Sequence, residues 1–456
     1  MRISGFAWIA LSASLALLAG CATFHSLPLD NIAPPKLADI RVPAASMPVP
    51  ALRTHRFDPG DGLDVTETAM LAVANSPDLR VQRDDAHIAR AQAFAAGLLP
   101  DPQLSYQHEN PTSNQADLTS AFNLGLTFDL GNLLTRSSRV AAAKGNVREV
   151  DLDLLWSEWQ TIAKARTLFD RIFYLRGLDA RLQRESDALA PIQKYIQRAL
   201  AAGDLTYDAA SAGLNAASDV TNKLADTRRQ LDQAQHDLHD LLGLDASVPL
   251  HLVGAPYVVD PDAREATRAL ADMAKRRPDL RALQAGYQAQ QEKVRAAIIA
   301  QFPAITVGFV RARDTGNVYT TGYSIGLSLP LFDGNRGNIA IERASRQKLR
   351  DAYSARLLTD RNDIDRLLAD LRSYRTQRTA LIAHAAQLSA AREAAQRAYA
   401  AGLLDWPTYL AIRASSLAAD SALLTLEQNF HEQSIALDAL VGDWPDASQA
   451  QDRNSP

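Results

Sequence analysis

The chain has 456 residues and a formal net charge of −4, from 48 Lys and Arg against 52 Asp and Glu. Charge this close to balance offers no broad basic surface to a nucleic acid, and a single cysteine rules out internal disulfides and thiolate metal sites. Alanine is abundant and aromatic residues make up 6%. Beyond residue 20 no apolar run reaches the ~20 residues a membrane-crossing helix needs, which excludes a polytopic helical membrane protein and favours long helices packed through small residues.

At the N-terminus Arg2 precedes the run FAWIALSASLALLAGC, residues 6–21. A positive charge, an apolar core and small residues before a cleavage point make a secretory signal of residues 1–20. Leu18-Ala19-Gly20-Cys21 resembles the lipobox of bacterial lipoproteins, which implies diacylation of Cys21 as the first mature residue. Ala22 in place of Asp resembles the outer-membrane-directed sorting pattern. A plain signal peptide or an uncleaved anchor helix is the alternative. Prolines 28, 34, 35, 43, 48, 50 and 59 interrupt any helical period, so residues 21–62 are expected to form an extended, acylated surface tether.

From residue 63 the chain is written twice. SPDLR at 76–80 recurs as RPDLR at 277–281, and LPDPQLSY at 99–106 is echoed by FPAITVGF at 302–309. FNLGLTFDLGN at 122–132 returns as YSIGLSLPLFDGN at 323–335. RALAAGDL at 198–205 returns as RAYAAGLL at 397–404, and LHDLLG at 238–243 as LDALVG at 437–442. Ordered matches at a constant offset of about 200 residues are the mark of duplication. The repeats are placed at 63–244 and 265–444, with a linker at 245–264 and a disordered tail at 445–456.

Each repeat opens with a helix, over about 66–98 and 266–300, that ends before Pro100 or Pro303. A strand follows (Leu104 to His108; Ile305 to Phe309), then a polar loop, then a second strand. In that second strand Phe122, Leu124, Leu126, Phe128 and Leu130 alternate with Asn123, Gly125, Thr127 and Asp129; the copy alternates from Tyr323 to Leu331. Alternation of this kind makes one oily and one wet face. A helix of about 65 residues comes next, then a glycine turn at Gly203 or Gly402, then a helix of about 40.

A 65-residue helix is ~100 Å long and needs partners along its length. Leu175, Leu178, Leu182, Leu189, Ile192, Ile196 and Ala199 form a seam of three- and four-residue steps with Glu185 as its one polar interruption. Ala217, Val220, Leu224, Thr227, Leu231, Ala234, Leu238 and Leu241 match it on the returning helix. Core stripes of a soluble bundle are the alternative. Pro191 is expected to kink the first long helix.

Four amphipathic strands cannot close a barrel, and open edges are not tolerated in lipid. Three chains would bring twelve strands, a reasonable closure that spacing alone does not single out. The oily faces then meet lipid, while Asn123, Thr127, Ser324 and Ser328 line a wet lumen. The rival is an ordinary sheet packed on a helix.

The duplicated helix–strand–strand–long helix–helix plan resembles the TolC-type outer membrane factor family, lipoprotein branch, over nearly all of the mature chain. The motifs are the PDL pairs, the LP/FP boundary before strand one, GL-x-(F/L)-x-L in strand two, YAAGLLDWPTYL at the second turn and LDALVGDWP at the end. QHENP, 107–111, resembles the heavy-metal-efflux subgroup, although five residues do not define a substrate. The resemblance implies a mainly α homotrimer with a transmembrane 12-stranded barrel in the outer membrane over a 12-helix coiled-coil tunnel in the periplasm. It implies a periplasmic adaptor protein and an inner-membrane pump as partners, outer membrane lipid around the barrel, and the role of a passive exit duct in a tripartite efflux system. The alternative is a non-conducting coiled-coil structural lipoprotein.

In the family the helix turns close the tunnel at rest and meet the adaptor. Arg198, Gly203, Leu205, Arg397, Gly402 and Leu403 are therefore the adaptor-contact candidates, unless they only shape the turns. Asp204, Asp208, Asp405 and Trp406 are the gate candidates. Acidic groups repeated at a narrow mouth favour cations, but Thr408 and Ala411 stand where relatives often carry acids. Helix capping by Asp204 and Asp405 is an equal account, and Trp406-Pro407 could plug or stiffen the mouth. His236 and His239 share a helix with Asp237 and Asp240, where a solvated face is simpler than a metal site. No enzyme chemistry, cofactor, metal or nucleic acid is expected.

Overall fold

A computed structural model describes residues 23–29, 36–112, 117–257 and 263–442. Cys21, the apolar leader and the segment from 443 onward lie outside the described residues. Residues 23–29 carry no regular secondary structure and belong to a separate unit from the rest.

In the second unit the order helix, helix, strand, strand, very long helix, long helix runs twice. The first pass is α1 (Val65–Asn75), α2 (Pro77–Gly97), β1 (Gln103–Glu109), β2 (Ala121–Asp129), α3 (Gly131–Ala202) and α4 (Tyr207–Leu242). The second is α5 (Ala263–Arg276), α6 (Pro278–Ile299), β3 (Ala304–Arg313), β4 (Tyr319–Ser328), α7 (Arg336–Ala400) and α8 (Trp406–Val441). At 72 residues α3 is about 108 Å long. Among the described residues no helix is long and apolar enough to cross a membrane.

Three expectations need correction. The opening helix of each repeat is two helices, because the PDL motif carries its own breaker. Ser76 (ψ 127°) and Arg277 (ψ 128°) are extended, as a residue before proline is driven to be, and Pro77 and Pro278 start the next helix where a missing N–H costs nothing. The second strand of each repeat is shorter than its alternation. The Asp129 carboxylate accepts from Gly131 N at 2.8 Å and Asn132 Nδ2 at 2.7 Å, which starts α3 at once, and Pro330 has no N–H to extend the ladder beyond Ser328. The tether is not wholly a surface strap: Met47, Val49 and Leu52 are buried in one cluster with α1, α3 and α4, because apolar side chains between the prolines gain more by burial than by solvation. Pro191 lies within α3 without ending it.

The seams follow the predicted spacing. Leu182, Leu189, Val220 and Leu224 share a core with Ala395, Tyr409, Leu410 and Leu417, so four helices from both repeats meet near the turns. Nearer the sheet, α3 and α6 approach through small residues. A Cβ at Gly145 would lie 2.7 Å from that of Ala289, and one at Gly286 would collide with the Glu149 carboxylate. At that contact small side chains permit close backbones. Arg277 is fully buried between Asp279 (Nη2 to Oδ2, 2.7 Å) and Asp360 (Nη1 to Oδ1, 3.2 Å), with its guanidinium over the Trp156 ring.

Burial raises the carboxyl pKa of Glu149 and Asp153; Asp153 adds to the first shift and Asp279 to the second. Each group binds its proton more tightly folded than unfolded, so its stabilising contribution is complete below the ordinary carboxylate range and is lost as pH rises through the raised folded value. The double variant Glu149→Gln/Asp153→Asn should therefore melt higher than the parent at pH 7.5, with the difference vanishing toward pH 4, as followed by circular dichroism.

Candidate functional site: the sheet and the helix turns

The four strands form one antiparallel sheet in the order β1-β2-β3-β4. The repeats join at β2 and β3, and β1 and β4 have open edges among the described residues. Register places Leu104, Leu126, Phe309 and Tyr323 in one row across the sheet, and Phe128, Val307 and Ile325 in the next. Tyr106, Leu124, Arg311 and Thr321 form a row toward the loops, followed by His108, Phe122, Arg313 and Tyr319. This face is apolar over most of its height and open: Leu126 is 47% exposed and Ile325 77%.

The other face is polar and small. Thr127, Gly308 and Ser324 share a row with Gln103; Asn123, Ala312 and Thr320 share one with Gln107; Ser328 pairs with Ala304. The four lumen candidates Asn123, Thr127, Ser324 and Ser328 thus lie on one face. Side chains converge there. A Cβ at Gly308 would sit 2.5 Å from Ser324 Oγ and 2.8 Å from Thr127 Cγ2, and one at Gly125 2.6 Å from Ser105 Oγ. Glycine removes the clash and lets the sheet curve toward its polar side.

At the other end of the long helices the two turns are built alike. Gly203 (φ 78°) and Gly402 (φ 71°) are left-handed, and nothing lies within 4 Å of a Cβ at either, so glycine is required by the backbone and not by space. Gly203→Ala and Gly402→Ala should each cost about 1–2 kcal/mol, the price of left-handed backbone in an L-residue, as a lowered denaturation midpoint; asparagine should be milder. Arg198 and Arg397 are exposed, Leu205 is half-buried and Leu403 is 82% exposed. Sequence reasoning passed over Tyr207, 81% exposed beside Leu205; an aromatic following a turn glycine was the available signal.

The gate candidates divide. Asp405 caps α8, accepting from Thr408 N at 3.0 Å, and these hydrogen bonds lower its pKa. Asp204 does not cap α4, correcting that expectation: Thr206 does, accepting from Ala209 N at 3.3 Å, because α4 begins at Tyr207. Asp208 is in the first turn of α4. The Trp406 ring lies over Gly213 of α4, where a Cβ would come within 2.9 Å of it, so Trp406 of one turn packs on the helix that follows the other.

Glu185, the polar break in the α3 seam, is explained by a residue of α8. Arg413 Nε donates to its Oε1 at 2.8 Å and Nη2 to its Oε2 at 2.6 Å, while Nη1 donates to Tyr409 Oη at 2.7 Å. The Tyr409 ring stacks on Tyr399, centroids 4.5 Å apart. This buried clamp ties α8 to α3.

The two histidines of α4 face backbone carbonyls. Both ring nitrogens of His239 face carbonyl oxygens, of Gln235 at 2.7 Å and Val248 at 2.8 Å, and His236 Nδ1 faces Asp232 O. His55, Asp64 and Glu67 bring ligand atoms within 4.8 Å, but the carboxylates form the cap of α1: Asp64 Oδ1 accepts from Thr66 N and Glu67 N, and Glu67 from Asp58 N and Asp64 N.

Comparison with known proteins gives a consistent picture. The family model described as outer membrane efflux protein matches residues 269–443. Protein CyaE of Bordetella pertussis is 24% identical over 383 residues, 77% of each chain. The multidrug resistance outer membrane protein MdtP of Shigella flexneri is 27% identical over 235 residues, 49% of this chain and 48% of the relative. The crystal structure of the outer membrane channel CmeC of Campylobacter jejuni superposes with a TM-score of 0.68 at 14% identity, covering 94% of this chain and 97% of that one.

Proposed function

We infer that this chain, which belongs to the outer membrane efflux protein family, is the outer membrane duct of a tripartite efflux system. Three copies contribute four strands each to a twelve-stranded barrel, with the long helices below it as a twelve-helix tunnel. The observation that carries this reading is the sheet itself. One face is apolar over most of its height and open to the surroundings, the other is polar and relieved by glycine, and among the described residues neither edge has a partner. Water tolerates neither that face nor those edges, and further copies of the same sheet satisfy both.

Asn123, Thr127, Ser324 and Ser328 then line the lumen. Lipid on Cys21 anchors the mature chain, which places it at the outer membrane with the helices in the periplasm. The exposed turns around Arg198, Gly203, Leu205, Arg397, Gly402 and Leu403, with Tyr207 beside them, serve as the docking tip for a periplasmic adaptor and its inner-membrane pump. Asp204, Asp208, Asp405 and Trp406 lie at that mouth as its gate candidates. Residues 63–244 and 265–444 are the two repeats. The channel acts without catalysis or cofactor, taking what the pump delivers.

The test is assembly and conductance. The mature protein in detergent should run as a heat-labile trimer and open ion-conducting pores in planar bilayers. Monomers that leave bilayers silent would replace this reading with that of a structural spacer.

A further inference from the structure

We propose that Arg311 and Arg313 form a binding site for the phosphate headgroup of an anionic membrane lipid, on the outer surface of the barrel at its loop end. The proposal rests on the barrel reading and names a lipid partner that the barrel alone does not require.

The two arginines break a pattern. From the helices toward the loops, the exposed face of β3 reads Ile305, Val307, Phe309, and then Arg311 and Arg313. They are separated by about 7 Å along the strand, two residues of rise, and both lie on the apolar face. β3 is flanked by β2 and β4, so side chains on this face point to the surroundings and not into a contact between sheet edges. A guanidinium there is at the interface level of a membrane, where hydrocarbon gives way to headgroups.

Among the described residues no carboxylate on that face neutralises them. Their row neighbours are Tyr106, Leu124 and Thr321, then His108, Phe122 and Tyr319, with no carboxylate among them. Glu109 is in register with Ala121 on the opposite face. Arg311 is exposed and, among the described residues, its side chain makes neither a hydrogen bond nor an ion pair. Arg313 is held in place without a counter-charge. Its Nε and Nη2 donate to Ser120 O at 3.1 and 2.6 Å, Nη2 also to Ser120 Oγ at 3.1 Å, and Nη1 reaches Tyr319 Oη at 3.5 Å. The Phe122 and Tyr319 rings lie 5.6 and 5.9 Å from its Cζ. The result is one anchored and one free guanidinium, framed by aromatic rings of the kind that seat at membrane interfaces. Guanidinium matches phosphate oxygens in bidentate fashion, and the adjoining apolar rows accept the acyl chains of the same molecule. That pairing selects a lipid phosphate over a free anion.

The experiment compares the full mature trimer with Arg311→Gln/Arg313→Gln and Arg311→Lys/Arg313→Lys, each in phosphatidylcholine nanodiscs doped with a bis-phosphorylated glycolipid or its dephosphorylated form. Native mass spectrometry reads the lipid retained. The parent should retain the phosphorylated form at least tenfold over the other, the lysine variant should keep part of that preference, and the glutamine variant should lose it. Pore conductance in neutral bilayers should be the same for all three. Equal retention of both lipids by the parent overturns the proposal whether or not a variant folds, and so does full displacement by millimolar inorganic phosphate. Absence of pores from every protein would instead remove the barrel, and this site with it.

Discussion

Glu185→Leu should destabilise the helical bundle by about 3–5 kcal/mol, the usual cost of leaving a buried charge without its partner. Arg413 is 8% exposed and Glu185 7%, so water cannot replace the lost carboxylate, and Tyr409 Oη satisfies only one of the guanidinium nitrogens. The double variant Glu185→Leu/Arg413→Met should recover most of the loss, because the site then becomes a continuation of the Leu182 to Leu189 seam. Chemical denaturation of parent, single and double variants forms a thermodynamic cycle, and a coupling near zero would show that the clamp is solvated in solution. The clamp also joins α8 to α3 just inside the turns. In the single variant, hydrogen exchange should therefore accelerate first around Tyr399, Tyr409 and Arg413, before the Ala234 to Leu242 end of α4 responds.

Leu126→Arg should abolish membrane insertion while sparing expression of the chain. A charge facing hydrocarbon near mid-depth costs about 2–4 kcal/mol per copy in a barrel, and three copies would multiply that. In a water-soluble protein the same change would be harmless, since Leu126 is already exposed, so the substitution separates the two environments sharply. Thr127→Arg, one residue along and on the opposite face, is the matched control: insertion should proceed and the change should appear in conductance and ion selectivity. The measurement is the fraction of heat-labile trimer in outer membrane preparations, followed by bilayer recording. Equal behaviour of the two variants would mean that the sheet faces are not distinguished by lipid.

What the sequence determined by itself is what depends on short separations. Residue alternation in the strands, the three-and-four spacing of Leu175 to Ala199 and the glycine that reverses each long helix are local periodicities, and five ordered matches made the duplication plain. Even local signals conflict where two rules compete at one residue. SPDLR and RPDLR mark the repetition, but the proline in each is also a breaker, and Asp129 ends the strand alternation early by accepting from Gly131 N and Asn132 Nδ2 at the start of α3. Tertiary structure decided everything that pairs residues far apart in the chain. It joined β2 to β3 and thereby put Asn123, Thr127, Ser324 and Ser328 on one face. It answered Glu185 with Arg413, 228 residues away, and laid Trp406 on Gly213. It also drew Met47, Val49 and Leu52 out of a proline-rich tether into a core. The physical reason is that backbone periodicity fixes which way a side chain points relative to its neighbours in sequence, whereas its partner across a seam is chosen by burial and charge once the helices have docked.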